Sequence, residues 1–264
     1  HSLDRRQRQM CIRDSIYKED ECEGLLLVDA SNAFNSLNRK VALANMSSLC
    51  PPFFQYLQNT YAEPSRLYLS GGDGQFIHSS EGTTQGDNCA MAFYAISTLP
   101  IIRSLANEKV DPVTENVKQA WFADDASAAG KLMGMLKWWN KLVDIGPRYG
   151  YFPNPNKCVL IIKNESMREK ANEIFGKFGI QITSRGQRHL GAIVGTREFK
   201  EEYIREKVGE WKEDIKTLAS IAKTEPQGAY SAMVFAIQHR WKFIQRTVPE
   251  ISEYFDELEY EIHN

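Results

Sequence analysis

The chain has 264 residues, 42% of them hydrophobic, and a formal net charge of −2. That is enough apolar material for a sizeable core, and the bulk charge carries no strong electropositive footprint, although a basic surface confined to a cleft remains compatible with it. The five cysteines (Cys11, Cys22, Cys50, Cys89, Cys158) form no CxxC pair and the five histidines no i, i+4 pair, which argues against a zinc site or a disulfide framework and suits a reducing compartment. No apolar run approaches the ~20 residues that span a bilayer, and no signal-peptide core is visible.

In chain order, residues 1–15 (HSLDRRQRQMCIRDS) are basic and polar without periodicity. They read as a non-native or disordered leader set apart from the fold, with a natural basic arm as the alternative. The run Gly24-Leu-Leu-Leu-Val-Asp29 predicts a buried central strand ending in a carboxylate. Asn38 is placed to cap a helix to about Leu49, and Pro51-Pro52 to end it and open another through about Tyr61. Segments 66–70 and 75–79 flank Gly71-Gly-Asp-Gly74, a hairpin signal. A polar loop, 81–86, leads into a helix over 87–107.

Strands are predicted over 117–123 and 126–129, across a tight turn at Asp124-Asp125. A helix follows over 131–149, with Leu132, Leu136, Trp139 and Val143 on its apolar face. Further strands are expected over 158–162, 180–183 and 189–194, and a helix over 166–178. From Phe199 onward only helical patterns remain, broken near Pro226-Gln-Gly228. The expected division is a leader (1–15), a mixed α/β body (16–195) and a helical segment (196–264).

Three carboxylates stand out, Asp29 at a strand end and Asp124 and Asp125 at a turn. Singly, such aspartates are most often turn residues or caps. A tight hairpin would re-aim the adjacent pair toward one sheet edge, clustering like charges that raise one another's pKa. A divalent cation relieves that repulsion, and hard oxygen donors favour magnesium or manganese over zinc. Two such ions suit in-line phosphoryl transfer.

Asp29-Ala-Ser-Asn-Ala-Phe-Asn35 resembles the first catalytic motif of reverse transcriptases, Gly82-Thr-Thr-Gln-Gly-Asp87 their Gln-Gly motif, and Phe122-Ala-Asp-Asp125 their Tyr/Phe-Ala-Asp-Asp box. Gly150-Tyr-Phe-Pro-Asn-Pro-Asn-Lys157 and Leu190-Gly191 fall where the later motifs belong. The ordered set, from about Gly24 to Gly195, is closer to non-long-terminal-repeat retroelements than to retroviruses. The resemblance implies an α+β fold: a polymerase palm, an antiparallel sheet with helices on one face, followed by a helical thumb-like region.

It implies further that Asp29 and Asp124 hold two Mg2+ ions (Mn2+ as a substitute), with Asp125 assisting at the primer end. Phe34 would lie under the incoming sugar and exclude a 2′-hydroxyl. Asn32 and Ala33 would cradle the triphosphate through backbone N–H groups, with Ala30 also at the substrate. Gln85 and Gly86 would lie near nucleotide and template, and Lys157 at the leaving pyrophosphate. Phe122, Leu190 and Gly191 would meet the primer–template. Implied partners are an RNA template, a DNA primer, deoxynucleoside triphosphates and the rest of a larger polyprotein, in nucleus or cytoplasm, with no membrane. The cations Lys212, Lys216, Arg240, Lys242 and Arg246 are interleaved with acids and read mainly as a solvated helical face.

The chain departs from the family at Asn35, where an aspartate is common, and at Asn88-Cys89, where Pro-Leu is usual. Little of a fingers subdomain precedes Asp29, which makes a fragment the expectation. The alternatives are a degenerate palm that binds nucleic acid or a partner without polymerising, and an RNA-dependent RNA polymerase, against which Phe34 argues.

Overall fold

The computed structural model describes residues 21–263 except 72, 73, 85 and 107–116, together with Ser15, Tyr17 and Glu19. The leader thus lies outside the described residues apart from Ser15. The architecture is α+β, a five-stranded sheet with helices and a C-terminal helical segment.

The strand order is β4-β5-β1-β6-β7, with β1 (Gly24–Val28) central, β4 (Lys118–Phe122) and β5 (Asp125–Gly130) on one side, and β6 (Val159–Ile162) and β7 (Gln181–Thr183) on the other. Every residue of β1 and β6 is buried, as expected of continuous apolar runs in a sheet covered on both faces. The sheet is mixed, not purely antiparallel as expected. β6 and β7 pair in parallel, because the helical crossover α6 (Arg168–Phe175) between them returns the chain in the same direction.

Alternation along the strands sorts the core in two. Leu26, Val28, Ala126, Ala128, Leu160 and Ile162 pack with the helices α2 (Arg39–Leu49), α3 (Pro51–Tyr61), α4 (Ala90–Ala106) and α5 (Leu132–Ile145). Leu25, Leu27, Ala129, Val159 and Ile161 face the opposite way, onto the hairpin of β8 (Gly186–His189) and β9 (Ala192–Gly195) and the helices α7 (Arg197–Ala222) and α9 (Gln238–Thr247). Helices of the α/β body thus cover one face, and the C-terminal segment covers the other. A single helical turn, α1 (Ala33–Ser36), follows β1, while α8 (Pro226–Ala232) and α10 (Asp256–His263) complete the C-terminal region.

Local signals explain most boundaries. Asn38 Oδ1 accepts a hydrogen bond from the Val41 amide at 3.2 Å, capping α2. Thr196 Oγ1 does the same for Phe199 at the start of α7. Pro51-Pro52 open α3, and Pro226 opens α8. The hairpin of β2 (Ser65–Tyr68) and β3 (Phe76–Ser79) stands where expected, exposed along almost its whole length.

Three expectations are corrected. The β4–β5 turn is Ala123-Asp124, and Asp125 is already the first residue of β5, opposite Phe122. The buried face of α5 is Leu132, Met135, Trp138, Trp139 and Leu142, whereas Val143 is exposed. Two tryptophans bury more area than Leu136 and Val143 and so set the rotation of the helix. Segment 189–194 is not one strand: it is a hairpin turning at Leu190-Gly191, whose φ values of 49° and 82° are those of a type I′ turn.

Candidate active site

Asp29 follows the last residue of β1, and the chain beyond it is held by the segment after Gly150. The Asn154 amide donates to Asp29 O (2.8 Å) and the Ser31 amide to Phe152 O (2.8 Å), while Ala30 bridges Pro153. These bonds extend the sheet by two residues and deliver the 3-10 turn Pro155–Lys157 beside the strand end. Lys157 Nζ lies 3.8 Å from Asp29 Oδ1, both side chains substantially exposed.

By the alternation that sends Leu25 and Leu27 to the face of the C-terminal helices, Asp29 points the same way. Asp125, paired one residue beyond Ala126↔Val28, joins it. The two aspartates, Lys157, and Gln187, Arg188 and His189 of β8 line one cavity of about 160 Å³.

Asp124 sits at the tip of the turn, half-buried. Burial pushes its carboxyl up, and the Asp29 charge adds to the effect, partly offset by a backbone hydrogen bond of its own. Ala123 before it has φ 54°, a left-handed conformation that costs a non-glycine residue about 1 kcal/mol or more. The turn is secured from below: the buried Tyr151 hydroxyl donates to Asp124 O at 2.9 Å, and Tyr151 packs against Trp121 with ring centroids 5.5 Å apart.

Phe34 lies on α1, which begins after Asn32 in a left-handed conformation (φ 48°). Asn32 O accepts from the amides of Asn35 and Ser36, both at 2.8 Å. Asn32 is exposed and Ala33 buried. The half-buried ring of Phe34 stacks on Tyr94 of α4, centroids 4.4 Å apart and planes inclined by 24°.

Two glycine segments clamp α1. Gly82 N donates to Leu37 O (2.8 Å) and Thr83 N to Phe34 O (2.7 Å), and Gly82 adopts φ 77° with its α-carbon against the Asn35 backbone. Gly150, φ 79°, closes the other side. Gln85 lies outside the described residues, and the neighbouring Gly86 is exposed with φ 96°. Asp87 accepts from the Tyr61 hydroxyl and, at 2.8 Å, from the Cys89 amide.

The structure brings Asp29, Asp125 and Lys157 together around one cavity, with Asp124 within electrostatic reach of Asp29. Among the described residues, no three or more His, Cys, Asp or Glu side chains converge closely enough to hold a metal ion by themselves. Phe122 is half-buried opposite Asp125. Leu190 and Gly191 form the hairpin turn beside α9, where a β-carbon on Gly191 would lie 3.3 Å from Phe243.

Sequence reasoning missed Gln187, Arg188 and His189, which carry the polar wall of the cavity. The polar run before Leu190-Gly191 was the available signal. It also missed Tyr94 and Arg39, and gave no role to Tyr151 within the Gly150–Lys157 motif. Arg39 is 4% exposed. It donates from Nε to Gly82 O (2.8 Å), from Nη1 to Ser79 O (2.7 Å) and from Nη2 to Ser79 Oγ (3.0 Å). Its guanidinium lies 5.2 Å from the Tyr61 ring centre.

In the C-terminal segment, Lys212 pairs with Glu257 and Lys216 with Glu213, at 2.9 and 2.8 Å, and Arg240 pairs with Asp214. These pairs are those of a solvated helical face.

No protein-family model matches the chain, and no curated protein matches it. Among solved structures it is similar to apo telomerase from Candida tropicalis truncated from the C-terminal domain, at 14% identity and TM-score 0.42, over 59% of this chain and 34% of that one. It is also similar to telomerase from Candida albicans in complex with a TWJ fragment of telomeric RNA, at 12% identity and TM-score 0.44, over 100% of this chain and 50% of that one. The chain therefore spans half or less of the length of these structures. Among the described residues no helix is long and apolar enough to cross a membrane.

Proposed function

We propose that the chain is the palm and part of the thumb of a retroelement reverse transcriptase, an RNA-directed DNA polymerase. The observation that supports this most is the meeting of Asp29 and Asp125, from separate motifs, with Lys157 in one cavity on one face of the sheet. The reaction is attack of a primer 3′-hydroxyl on the α-phosphate of a deoxynucleoside triphosphate, with cleavage of the bond to pyrophosphate.

Asp29 and Asp125 both line the cavity, and carboxylates suit a hard divalent cation whose remaining positions are filled by substrate phosphates and water. Asp29, Asp124 and Asp125 would hold magnesium, or manganese in its place, and the bound ions would activate the attacking hydroxyl and stabilise the leaving oxygen. Lys157, with its ammonium beside Asp29, neutralises the departing pyrophosphate and donates a proton to it. The ring of Phe34 forms the floor of the sugar site and excludes a 2′-hydroxyl, while the start of α1 at Asn32 and Ala33 takes the triphosphate. Gln187, Arg188 and His189 face the primer terminus across the cavity.

A second reading, a palm that binds primer–template without polymerising, is favoured by one observation. Asp29 already has a cationic partner in Lys157, 3.8 Å away, which relieves its charge without a metal ion. Primer extension on an RNA template in magnesium decides between them. Deoxynucleotide incorporation that Asp124→Asn reduces by about 10³-fold or more supports catalysis. Primer–template binding with no incorporation supports the second reading, and the absence of both sinks the two together.

A further inference from the structure

Phe34 can exclude a 2′-hydroxyl only if its ring cannot give way. The ring sits on a four-residue helical turn, partly open to solvent. Steric discrimination fails when the wall has room to retreat. The flat contact with Tyr94, 4.4 Å between centroids, fills the space behind it.

Tyr94 has little freedom of its own. It is 2% exposed, on α4 between the neighbouring helices and the sheet. Its hydroxyl is buried without a hydrogen-bond partner, an unfavourable arrangement and one in which the side chain contributes its ring more than its polar group. The adjacent Phe93 stacks on Tyr61, centroids 5.1 Å apart. Tyr61 in turn donates to Asp87 and accepts from the Thr84 amide, the latter at 3.3 Å. The start of α4 and the loop before it are therefore anchored on Tyr61, and the buried Tyr94 is held as a fixed platform.

We propose that Tyr94 is the positioning residue of the sugar gate: its ring holds Phe34 in place, so that selection of deoxy- over ribonucleotides depends on the stacked pair and not on Phe34 alone. This rests on the polymerase reading. Tyr94, 2% exposed, acts through its contact with Phe34.

The test is single-nucleotide incorporation of dCTP and of CTP opposite a template guanosine, comparing the ratio of the two kcat/KM values. The variants are Tyr94→Leu, Tyr94→Phe, Phe34→Ala and the double variant Phe34→Ala with Tyr94→Leu. A side chain that loosens the gate by about 1 Å is expected to lower the deoxy/ribo ratio about ten- to a hundredfold in Tyr94→Leu. Tyr94→Phe restores the ratio because the ring is kept. In the Phe34→Ala background Tyr94→Leu changes the ratio no further, as two residues acting through one contact require. Should Tyr94→Leu fail to fold, Tyr94→Met supplies the same loss of a flat ring with less loss of volume, and the same comparison is read from it.

A uniform fall in both rates at an unchanged ratio would overturn the proposal, showing Tyr94 to be structural only. An equal effect with and without Phe34 overturns it as well. If the unaltered chain incorporates neither nucleotide, the polymerase reading fails and takes this inference with it. An unaltered chain that selects dCTP while the Tyr94 variants keep its ratio removes the inference alone.

Discussion

Gly150 and Ser36 approach so closely that a β-carbon on Gly150 would lie 1.8 Å from the Ser36 carbonyl oxygen and 2.7 Å from the Asn38 amide nitrogen. The contact is backbone against backbone, so neither side can move without shifting α1 and with it Phe34. Gly150 also has φ 79°, where an L side chain is strained. Gly150→Ala is therefore expected to destabilise the fold by about 3 kcal/mol or more, combining overpacking with backbone strain. Urea denaturation of the two proteins checks this, and a difference within about 0.5 kcal/mol would contradict the close approach.

Arg39 joins the end of β3 and Gly82 to the first turn of α2 through three hydrogen bonds and the face of Tyr61. Its planar fork is what this arrangement uses. Lysine keeps the charge but not the geometry, so Arg39→Lys is expected to lose about 2–3 kcal/mol. Arg39→Met should lose at least as much, because the carbonyls of Ser79 and Gly82 are left unpaired. Equal stability of Arg39→Lys and the unaltered protein would mean that only the charge matters.

Glu23, just before the central strand β1, links the start of α5 to α6. Its Oε2 accepts from the Leu132 amide (2.8 Å) and its Oε1 from Lys170 Nζ (2.9 Å). Burial alone would raise its carboxyl, but these bonds and the Lys170 and Lys131 charges outweigh burial and hold it below the usual range. A depressed carboxyl contributes stability above its unfolded pKa, near 4.3 for glutamate. That contribution is lost as the pH falls through the lower folded value. Glu23→Gln should thus be less stable at pH 7 by about 1–2 kcal/mol, with the gap closing on acidification. Melting temperatures from pH 7 down to pH 2 test this, and a gap that widened in acid would reverse the assignment.

Ala123 holds the turn before Asp124 at φ 54°. Glycine adopts this conformation freely, so Ala123→Gly relieves strain while making the unfolded chain more flexible, and the two nearly offset. A β-branched residue gains nothing in return. Ala123→Val is expected to lose about 2 kcal/mol or more, whereas Ala123→Gly stays within about 1 kcal/mol of the unaltered protein. Thermal melts separate the two, and similar values for both would argue against a left-handed turn.

What the sequence discloses here is mostly local. The apolar runs of β1 and β6, the Asn38 cap, the Pro51 and Pro226 starts and the Gly-rich β2–β3 hairpin follow from periodicity and turn chemistry over a few residues. Asp29, Asp124, Asp125 and Phe34 stand out by a different route, the resemblance of the ordered motifs to those of reverse transcriptases. Register is less legible. The β4–β5 turn lies one residue earlier than its acidic pair suggests, because pairing of Phe122 with Asp125 is decided by the whole ladder, including Val28↔Ala126 on β1. The face of α5 is legible in Leu132 and Trp139, but burial of Met135, Trp138 and Leu142 turns Val143 out to solvent, a rotation set by the neighbours the helix packs on.

The sequence by itself determined most of the strands and helices, because these depend on short-range sterics and solvation, and it named the acidic and aromatic side chains available to a site. Only the tertiary structure decided that Asp29 and Asp125 share one face, that β8 supplies Gln187, Arg188 and His189 to the same cavity, and that Phe34 rests on Tyr94. Those juxtapositions join segments far apart in the chain, and they are set by the order of strands in the sheet and by which core each face must fill.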